Sequence, residues 1–416
     1  MNLLEDLERR GLLDSFSDKK KVEEMLEVPH TVYCGFDPSA RSMQLGNFIM
    51  ITILQRLQAC GHRVIAVLGG ATGMIGDPSG KKSERSFLNE QRVTENAECI
   101  RKQLEKYIDT SDPNKGIIVN NYDWWSKTNV LTFLRDYGKL IQVNYMLSKE
   151  VVKSRLDAGI SYTEFSYMIL QSGDFDRLYK DYNCTIQFGG GDQWGNLTTA
   201  LDFVKKKEGS DCEAQVFSFK LITDSNGKKF GKSESGALYL DPEMTSPYQI
   251  YQYFMNVSDS DVLKYLYIFD KRPIETIDEI YKNHLAHPEL REGQKELAKV
   301  IVTSLHGPEA ALDCAKMSVA LFTDQFQGLN AKELDELTSG LNVVETKESL
   351  NLLDALIALK LASSKREARE FVTNGAVKIN GEKIADVNAM ISASDALDGG
   401  YVFVKRGKKN YAVVKF

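Results

Sequence analysis

Residues 33–47 read YCGFDPSARSMQLGN. They close an apolar run, TVYCGF at 31–36, on Asp37-Pro38, and lead into the apolar-rich FIMITILQRLQACG at 48–61. That order is a strand, a tight turn and a helix, with Pro38 pre-setting the turn. Gly46 falls inside the first turn of the helix, where a glycine costs about 1 kcal/mol relative to alanine. A ligand brought close to the backbone at a positively polarised helix start accounts for that cost. The polar residues beside Leu45-Gly46 are neutral amides, Gln44 and Asn47.

Outward from this stretch, short apolar runs alternate with longer amphipathic ones between about 30 and 222. TVYCGF, RVIAVLGG, GIIVNN, CTIQFGGG and AQVFSFKLI read as strands with helices between them. Such alternation predicts an α/β fold with a largely parallel, Rossmann-like sheet and helices on both faces. Ligands bind such sheets at the carboxyl ends of the strands. Glycines gather there: Gly35, then Gly69, Gly70, Gly73 and Gly76, then Gly189, Gly190 and Gly191.

Beyond Pro247 the strand signals give way to helical ones, as in SPYQIYQYFM and PELREGQKELAKVIVTSLHG. The spacing predicts a first domain over 1–246, an all-α domain over 247–325, a polar linker over 326–350 and a small α+β domain over 351–416. In the last, Ser364 and Glu367 form a capping box opening a helix with Lys365, Arg366 and Arg369, and Gly375 closes it. Asn380-Gly381 marks a two-residue hairpin, and a second hairpin carries Arg406, Lys408 and Lys409 at its tip. Residues 351–416 hold 11 Lys+Arg and 7 Asp+Glu, a balance of +4; subtraction from 52 and 58 leaves 41 and 51, or −10, for the remainder. A basic module on an acidic body points to a polyanion, and bases along one helix and a loop suit RNA backbone.

Composition excludes other classes. The chain is 43% hydrophobic and 26% charged, as in globular proteins, and has no apolar run of membrane-spanning length. The N-terminus, MNLLEDLERRGLLDSF, reads as one amphipathic helix and lacks the apolar core of an export signal. Six scattered cysteines form no Cys-x-x-Cys pair, which favours a reducing cytoplasm over a disulfide or zinc framework, and the five histidines show no metal-ligand spacing. Gly227, Gly231, Lys232 and Ser233 resemble a P-loop one residue too short, and they follow the last strand of the sheet where a P-loop follows the first. Two cationic loops remain, one with Lys228, Lys229 and Lys232 and one with Lys81, Lys82 and Arg85. Facing a nucleotide, they would neutralise a triphosphate and a departing pyrophosphate.

Together these stretches resemble the class I aminoacyl-tRNA synthetases. YCGFDPSARSMQLGN is similar to their HIGH region and KFGKS at 229–233 to their KMSKS loop. GDPSGKKSER, YTEFSYMILQSGDF and GGGDQWGN look like the bacterial-type tyrosyl branch, and five ordered motifs make the resemblance specific. It implies an ATP-dependent ligase that activates tyrosine and passes it to tRNA, working as a homodimer with magnesium carried by ATP. It also implies an anticodon-binding helical domain and a ribosomal-protein-like RNA-binding C-terminus. By match to the family's motifs, Tyr33 and Asp174 hold the phenol hydroxyl, while Asp77, Tyr167 and Gln171 hold the ammonium group. Gln187 and Asp37 are further pocket positions. Cys34, Asp192 and Gln193 match ribose and α-phosphate contacts, and Gly190 lets adenosine approach. Gly35, Ser39, Gln44, Gly46 and Asn47 belong to the ATP site. Lys81, Arg85, Lys229 and Lys232, with Ser233, match the pyrophosphate clamp, and the bases at 365, 366, 369, 408 and 409 are those expected to meet tRNA.

Independent of the match, Tyr167, Gln171 and Asp174 are spaced i, i+4, i+7, so one helical face presents all three, and a core would not place Gln and Asp on its stripe. The departure lies at Gln44 and Asn47, where the family carries histidines. Their NH₂ groups can still donate to phosphate, and a hydrogen bond to a charged group is worth roughly 1.5–3 kcal/mol. Two rival readings stand beside this one: a synthetase for another amino acid, tryptophan above all, against which Asp174 speaks, and a non-catalytic RNA-binding protein on a synthetase scaffold.

Overall fold

The computed structural model describes residues 2–79, 88–157, 159–233, 236–407 and 410–416. It divides into two compact units, Met1–Met244 with Leu263–Glu279, and Thr245–Val262 with Ile280–Phe416. Among the described residues, no helix is long and apolar enough to cross a membrane.

The first unit is built on a six-stranded sheet: β1 (Leu13–Phe16), β2 (Thr31–Phe36), β3 (Arg63–Leu68), β4 (Gly116–Asn120), β5 (Cys184–Gly190) and β6 (Gln215–Phe219). In space they run β1-β6-β5-β2-β3-β4. Every pairing is parallel except that of β1 with β6. The five runs expected as strands are β2 to β6, and their near-continuous apolar character follows from burial on both faces: every residue of β6 and all but the first of β3 are buried. The strand β1 departs from the expectation of one N-terminal helix. The helix Leu3–Arg9 stops before Gly11, whose φ is +70°, and Leu13 and Phe16 then pair with Phe219 and Phe217.

Strand order reverses between β2 and β5, where Tyr33 lies opposite Gln187, and such a switch point opens a crevice at the carboxyl ends of the strands. Three helices matter there: α1 (Leu45–Ala59), α2 (Tyr162–Tyr182) and α3 (Trp194–Glu208). Phe175 and Leu178 of α2 share one apolar cluster with Leu197, Ala200 and Val204 of α3 and with Ile65, Val67 and Val216 of the sheet. Ser161 caps α2 by accepting the Glu164 N–H, and Asn183 closes it in the left-handed region at φ 53°.

The second unit combines helices with a five-stranded sheet. Val377–Ile379 turns through Asn380-Gly381, both at positive φ, into Glu382–Lys383, as the hairpin signal predicts. The stretch 326–350 is not simply a linker. It contains a helix, Ala331–Thr338, capped by Asn330 and Glu333, and a strand, Asn342–Glu345, paired in parallel with Asn410–Lys415. Val343 and Val344 are the β-branched residues that make that edge strand. Residues 263–279, expected within the helical domain, cluster with the first unit instead.

Asp324 ties the helical part of the second unit to its sheet. It ends the helix Pro308–Thr323 in the left-handed conformation, φ 59°, and its carboxylate accepts from Lys378 at 2.5 Å and Lys405 at 2.7 Å and meets the Tyr411 hydroxyl. Beside it the Phe326 and Phe403 rings stack at 4.4 Å. Two bases of the C-terminal module are thereby turned inward. Burial pushes the Asp324 carboxyl up, but these hydrogen bonds outweigh burial and hold it at about 2, below its ordinary 3.8. Its contribution is therefore fully present above about pH 4 and lost as pH falls through about 2. We expect Asp324→Asn to destabilise this unit by about 3 kcal/mol at neutral pH and to remove that acid dependence; urea denaturation at neutral and acid pH checks both, and an unchanged midpoint contradicts the assignment.

Candidate active site

The crevice holds a cavity of about 170 Å³ lined from β2, the turn after it, α1, β3, α2 and β5. Tyr33, Gly35, Asp37, Ser39, Gln44 and Asn47 of the opening stretch all line it, with Asp77, Tyr167, Gln171, Asp174, Gln187 and Gln193. Residues from four separate sequence motifs thus meet at one place.

Its centre is a buried network of polar side chains. Asp174 Oδ1 accepts from the indole nitrogens of Trp124 at 2.8 Å and Trp125 at 2.6 Å, and its Oδ2 accepts from Asn121 Nδ2 at 3.0 Å. Asn121 Nδ2 also donates to the Thr72 hydroxyl at 3.0 Å, which donates to Asp37 Oδ1 at 2.8 Å. The Tyr167 hydroxyl donates to Asp37 Oδ2 at 2.9 Å. Burial raises the Asp174 carboxyl to about 6, with the three donors pulling the other way. Burial, and then the Asp174 charge, raises the Tyr33 phenol, so that hydroxyl keeps its proton.

Among the described residues, three buried polar atoms at the cavity have no protein partner: the Tyr33 hydroxyl, Gln171 Oε1 and Gln187 Oε1. Leaving such a group unmade costs about 1–3 kcal/mol, so each is an opening for a polar ligand. Asp77 is held by Ser79 N–H at 2.9 Å and by the amides of Asn196 at 3.3 Å and Gln193 at 3.4 Å, and burial raises its carboxyl. A ligand ammonium group would offset that desolvation.

Close packing explains two glycines. A Cβ on Gly69 would lie 2.0 Å from Asp37 Oδ1, and one on Gly190 would lie 2.8 Å from Asp192 Oδ1. Cys34, Gly46, Gly190 and Asp192 are not among the lining residues. Cys34 is buried, and burial pushes its thiol up to about 12, so it is neutral. Lys229 lies 4.0 Å from Asp192. Lys232 is exposed at the start of a two-residue strand. Lys81 and Arg85 lie outside the described residues, as do Lys408, Lys409 and the side chain of Ser233. On the helix Lys365–Thr373 of the second unit, Lys365 pairs with Asp354 at 2.6 Å, while Arg366 and Arg369 are exposed. Among the described residues, no cluster of three His, Cys, Asp or Glu side chains could hold a metal.

Known proteins agree with this architecture. Residues 25–323 match the family described as tRNA synthetases class I (W and Y), and residues 333–414 match the tyrosine–tRNA ligase SYY-like C-terminal domain. The chain is 44% identical to a tyrosine–tRNA ligase of Listeria welshimeri over 421 residues, covering 100% of both chains, and 43% identical to tyrosine–tRNA ligase 1 of Bacillus cereus over 419 residues, again 100% of both. It belongs to the tyrosine–tRNA ligase family. Among solved structures, the C-terminally truncated mitochondrial tyrosyl-tRNA synthetase of Aspergillus nidulans superposes with a TM-score of 0.69 at 30% identity, covering 77% of this chain and 94% of that one.

Asn121, Trp124, Trp125 and Thr72 were not among the residues picked from sequence. For Asn121, Trp124 and Trp125 the signal is present in NNYDWW, two indoles just past a strand end, but only folding aims both N–H groups at Asp174. Because about 6 lies above the ordinary 3.8, the ionised Asp174 costs stability that is recovered as pH falls below about 6. We expect intrinsic tryptophan fluorescence to titrate with a midpoint near 6 and Asp174→Asn to abolish that transition; a flat profile between about pH 5 and 7 contradicts the network.

Proposed function

We propose that the chain couples L-tyrosine to ATP and then to tRNA(Tyr), in two steps at this cavity. The tyrosine carboxylate attacks the α-phosphorus in line, a C–O–P anhydride forms, and the bond to pyrophosphate breaks. A hydroxyl of the terminal tRNA ribose then takes the tyrosyl group, releasing AMP. The enzyme contributes position and charge, and neither step requires a side-chain nucleophile.

One observation carries the reading: the unpartnered Tyr33 hydroxyl and the buried Asp174 carboxylate share one cavity. A phenol hydroxyl donating to Asp174 and accepting from Tyr33 fits both, whereas phenylalanine leaves both unmatched and tryptophan offers no acceptor. In this reading Asp77, Tyr167 and Gln171 take the ammonium group, with Asp37 and Gln187 bordering the substrate. Gly35, Ser39, Gln44, Gly46 and Asn47, with Cys34, Gly190, Asp192 and Gln193, serve ATP. Lys229, Lys232 and Ser233, with Lys81 and Arg85, serve the pyrophosphate, and magnesium arrives on the ATP phosphates as part of the substrate. The exposed Arg366 and Arg369, with Lys365, Lys408 and Lys409, serve tRNA in a C-terminal RNA-binding domain, and a helical anticodon-binding region precedes it. Six unpaired cysteines support a cytoplasmic site of action.

Amino-acid-dependent ATP–pyrophosphate exchange tests the activity. Tyrosine should support it at least about a hundredfold better than phenylalanine, since each unmatched buried group costs about 1–3 kcal/mol. Equal exchange with both amino acids overturns the reading. In the same assay Gln44→His and Asn47→His should change the rate modestly; a gain of several orders of magnitude would show that amides do not replace the imidazoles.

The homodimer rests on a separate observation. Val130 (67% exposed), Leu131 (74%), Leu134 and Val143 crowd exposed apolar side chains into one stretch of the first unit, and such patches mark association surfaces. Sedimentation should give a dimer that Leu131→Asp with Leu134→Asp converts to a monomer; a dimer in both proteins rules out this face.

A further inference from the structure

The loop that carries Lys229 and Lys232 is exposed on either side of one buried pair, Phe230 and Gly231. Loops of this kind hold position through few contacts, so the packing of Phe230 decides where the flanking lysines stand. Its ring lies 5.1 Å from Tyr265 and 5.3 Å from Phe269, centroid to centroid. Phe269 in turn stacks on Phe48 at 5.9 Å with the planes 9° apart. Phe48 follows Asn47 directly in the first turns of α1. All three rings are buried, at 7% exposure for Phe230, 2% for Phe269 and 1% for Phe48. A continuous aromatic column therefore joins the two segments that face the phosphates, with spacings in the range where ring pairs attract.

The backbone reinforces the same register. Leu45 N–H donates to Leu238 O at 2.8 Å, Leu238 N–H donates to Gly231 O at 3.0 Å, and a Cβ on Gly231 would come within 3.1 Å of the Gly46 nitrogen. With φ at +78°, Gly231 accepts this approach where a bulkier residue would not. These contacts fix the base of the loop, and the Phe230 ring fixes its tilt.

We propose that Phe269, remote in sequence from every nucleotide-site motif, is a positioning residue for adenylate formation. Its ring sets the distance between the α1 N-terminus and the lysines of the loop, and so aligns the groups that stabilise the departing pyrophosphate. The inference rests on the function proposed above and adds a residue outside the cavity lining. It makes the ring geometry, beyond simple bulk, a determinant of the rate.

Two variants test it in the intact chain. Phe269→Leu keeps an apolar core residue but removes the ring, and Phe230→Leu does the same on the loop side of the column. Each should lower kcat for tyrosine-dependent pyrophosphate exchange about ten- to a hundredfold, the scale of a misplacement near 1 Å, with the KM for tyrosine unchanged. The double variant should be no slower than the slower single one, because both substitutions break one column. Unchanged kcat in Phe230→Leu overturns the proposal, as does a parallel rise in the tyrosine KM or a fully additive double variant. Should Phe269→Leu fail to fold, Phe230→Leu alone decides. Absence of tyrosine-dependent exchange in the parent chain would instead defeat the functional reading, so the two failures are told apart.

Discussion

A carboxylate buried at the carboxyl edge of a parallel sheet needs donors, and the chain around the crevice is arranged to supply them to Asp174. The indoles of Trp124 and Trp125 and the amide of Asn121 converge on its two oxygens. From there the Asn121–Thr72–Asp37–Tyr167 sequence of hydrogen bonds carries the constraint across to the turn after β2. Each member fixes the next, so the ends of β2, β3 and β4 meet the middle of α2 around one polar centre. Fully satisfied networks of this kind specify a unique geometry, and a partly satisfied one costs more than an apolar core. The atoms left over, above all the Tyr33 hydroxyl, are then places the network has kept open for something it lacks.

The same economy governs the glycines. Gly69 lets Asp37 and Thr72 come close enough to bond, since a Cβ there would occupy the space of the Asp37 carboxylate. Gly231, at φ +78°, lets its loop meet the start of α1, where a Cβ would stand 3.1 Å from the Gly46 nitrogen. At Gly46 itself a Cβ would meet nothing nearer than the Phe230 carbonyl oxygen at 3.9 Å, an ordinary contact, so the protein's own packing does not account for the roughly 1 kcal/mol a helical glycine costs. The strands provide the rigid frame, and the turns, relieved of side chains, bring the chemistry together on it.

Sequence patterning revealed the sheet because parallel strands buried on both faces leave unbroken apolar runs, and RVIAVL and QVFSF could hardly be anything else. It missed β1, which is four residues long and antiparallel at the sheet edge, where one paired side suffices and no long run is needed. It read 326–350 as a linker because Asn342–Glu345 is an edge strand too, largely exposed, with its partner some seventy residues later. The cavity divides in the same way. Gln171 and Asp174 were legible because polar residues on a buried helical face conflict with local patterning, and such conflicts mark functional sites, whereas Tyr33 stood out only through the family resemblance. Trp124, Trp125 and Thr72 raised no conflict, being ordinary residues for a strand end and a short helix. Their role exists only in the direction of an N–H or O–H bond.

In the proposed function, the first turn of α1 shows what an amide offers where a hydrogen-bond donor is needed. Asn47 Oδ1 accepts the backbone N–H of Gln44 at 3.0 Å, which fixes the amide and turns its NH₂ away from the helix backbone. A histidine at this position could offer one donor in its neutral form and a second only when protonated, so its contribution would follow pH. The amide presents its donors at every pH, in an orientation set by the helix it caps. Under the proposed function, what is lost is a full positive charge on the side chain, a part that the lysines of the nearby loop and the helix N-terminus would carry. In that reading the constraint on this turn is a rigidly held donor, which either side chain would supply.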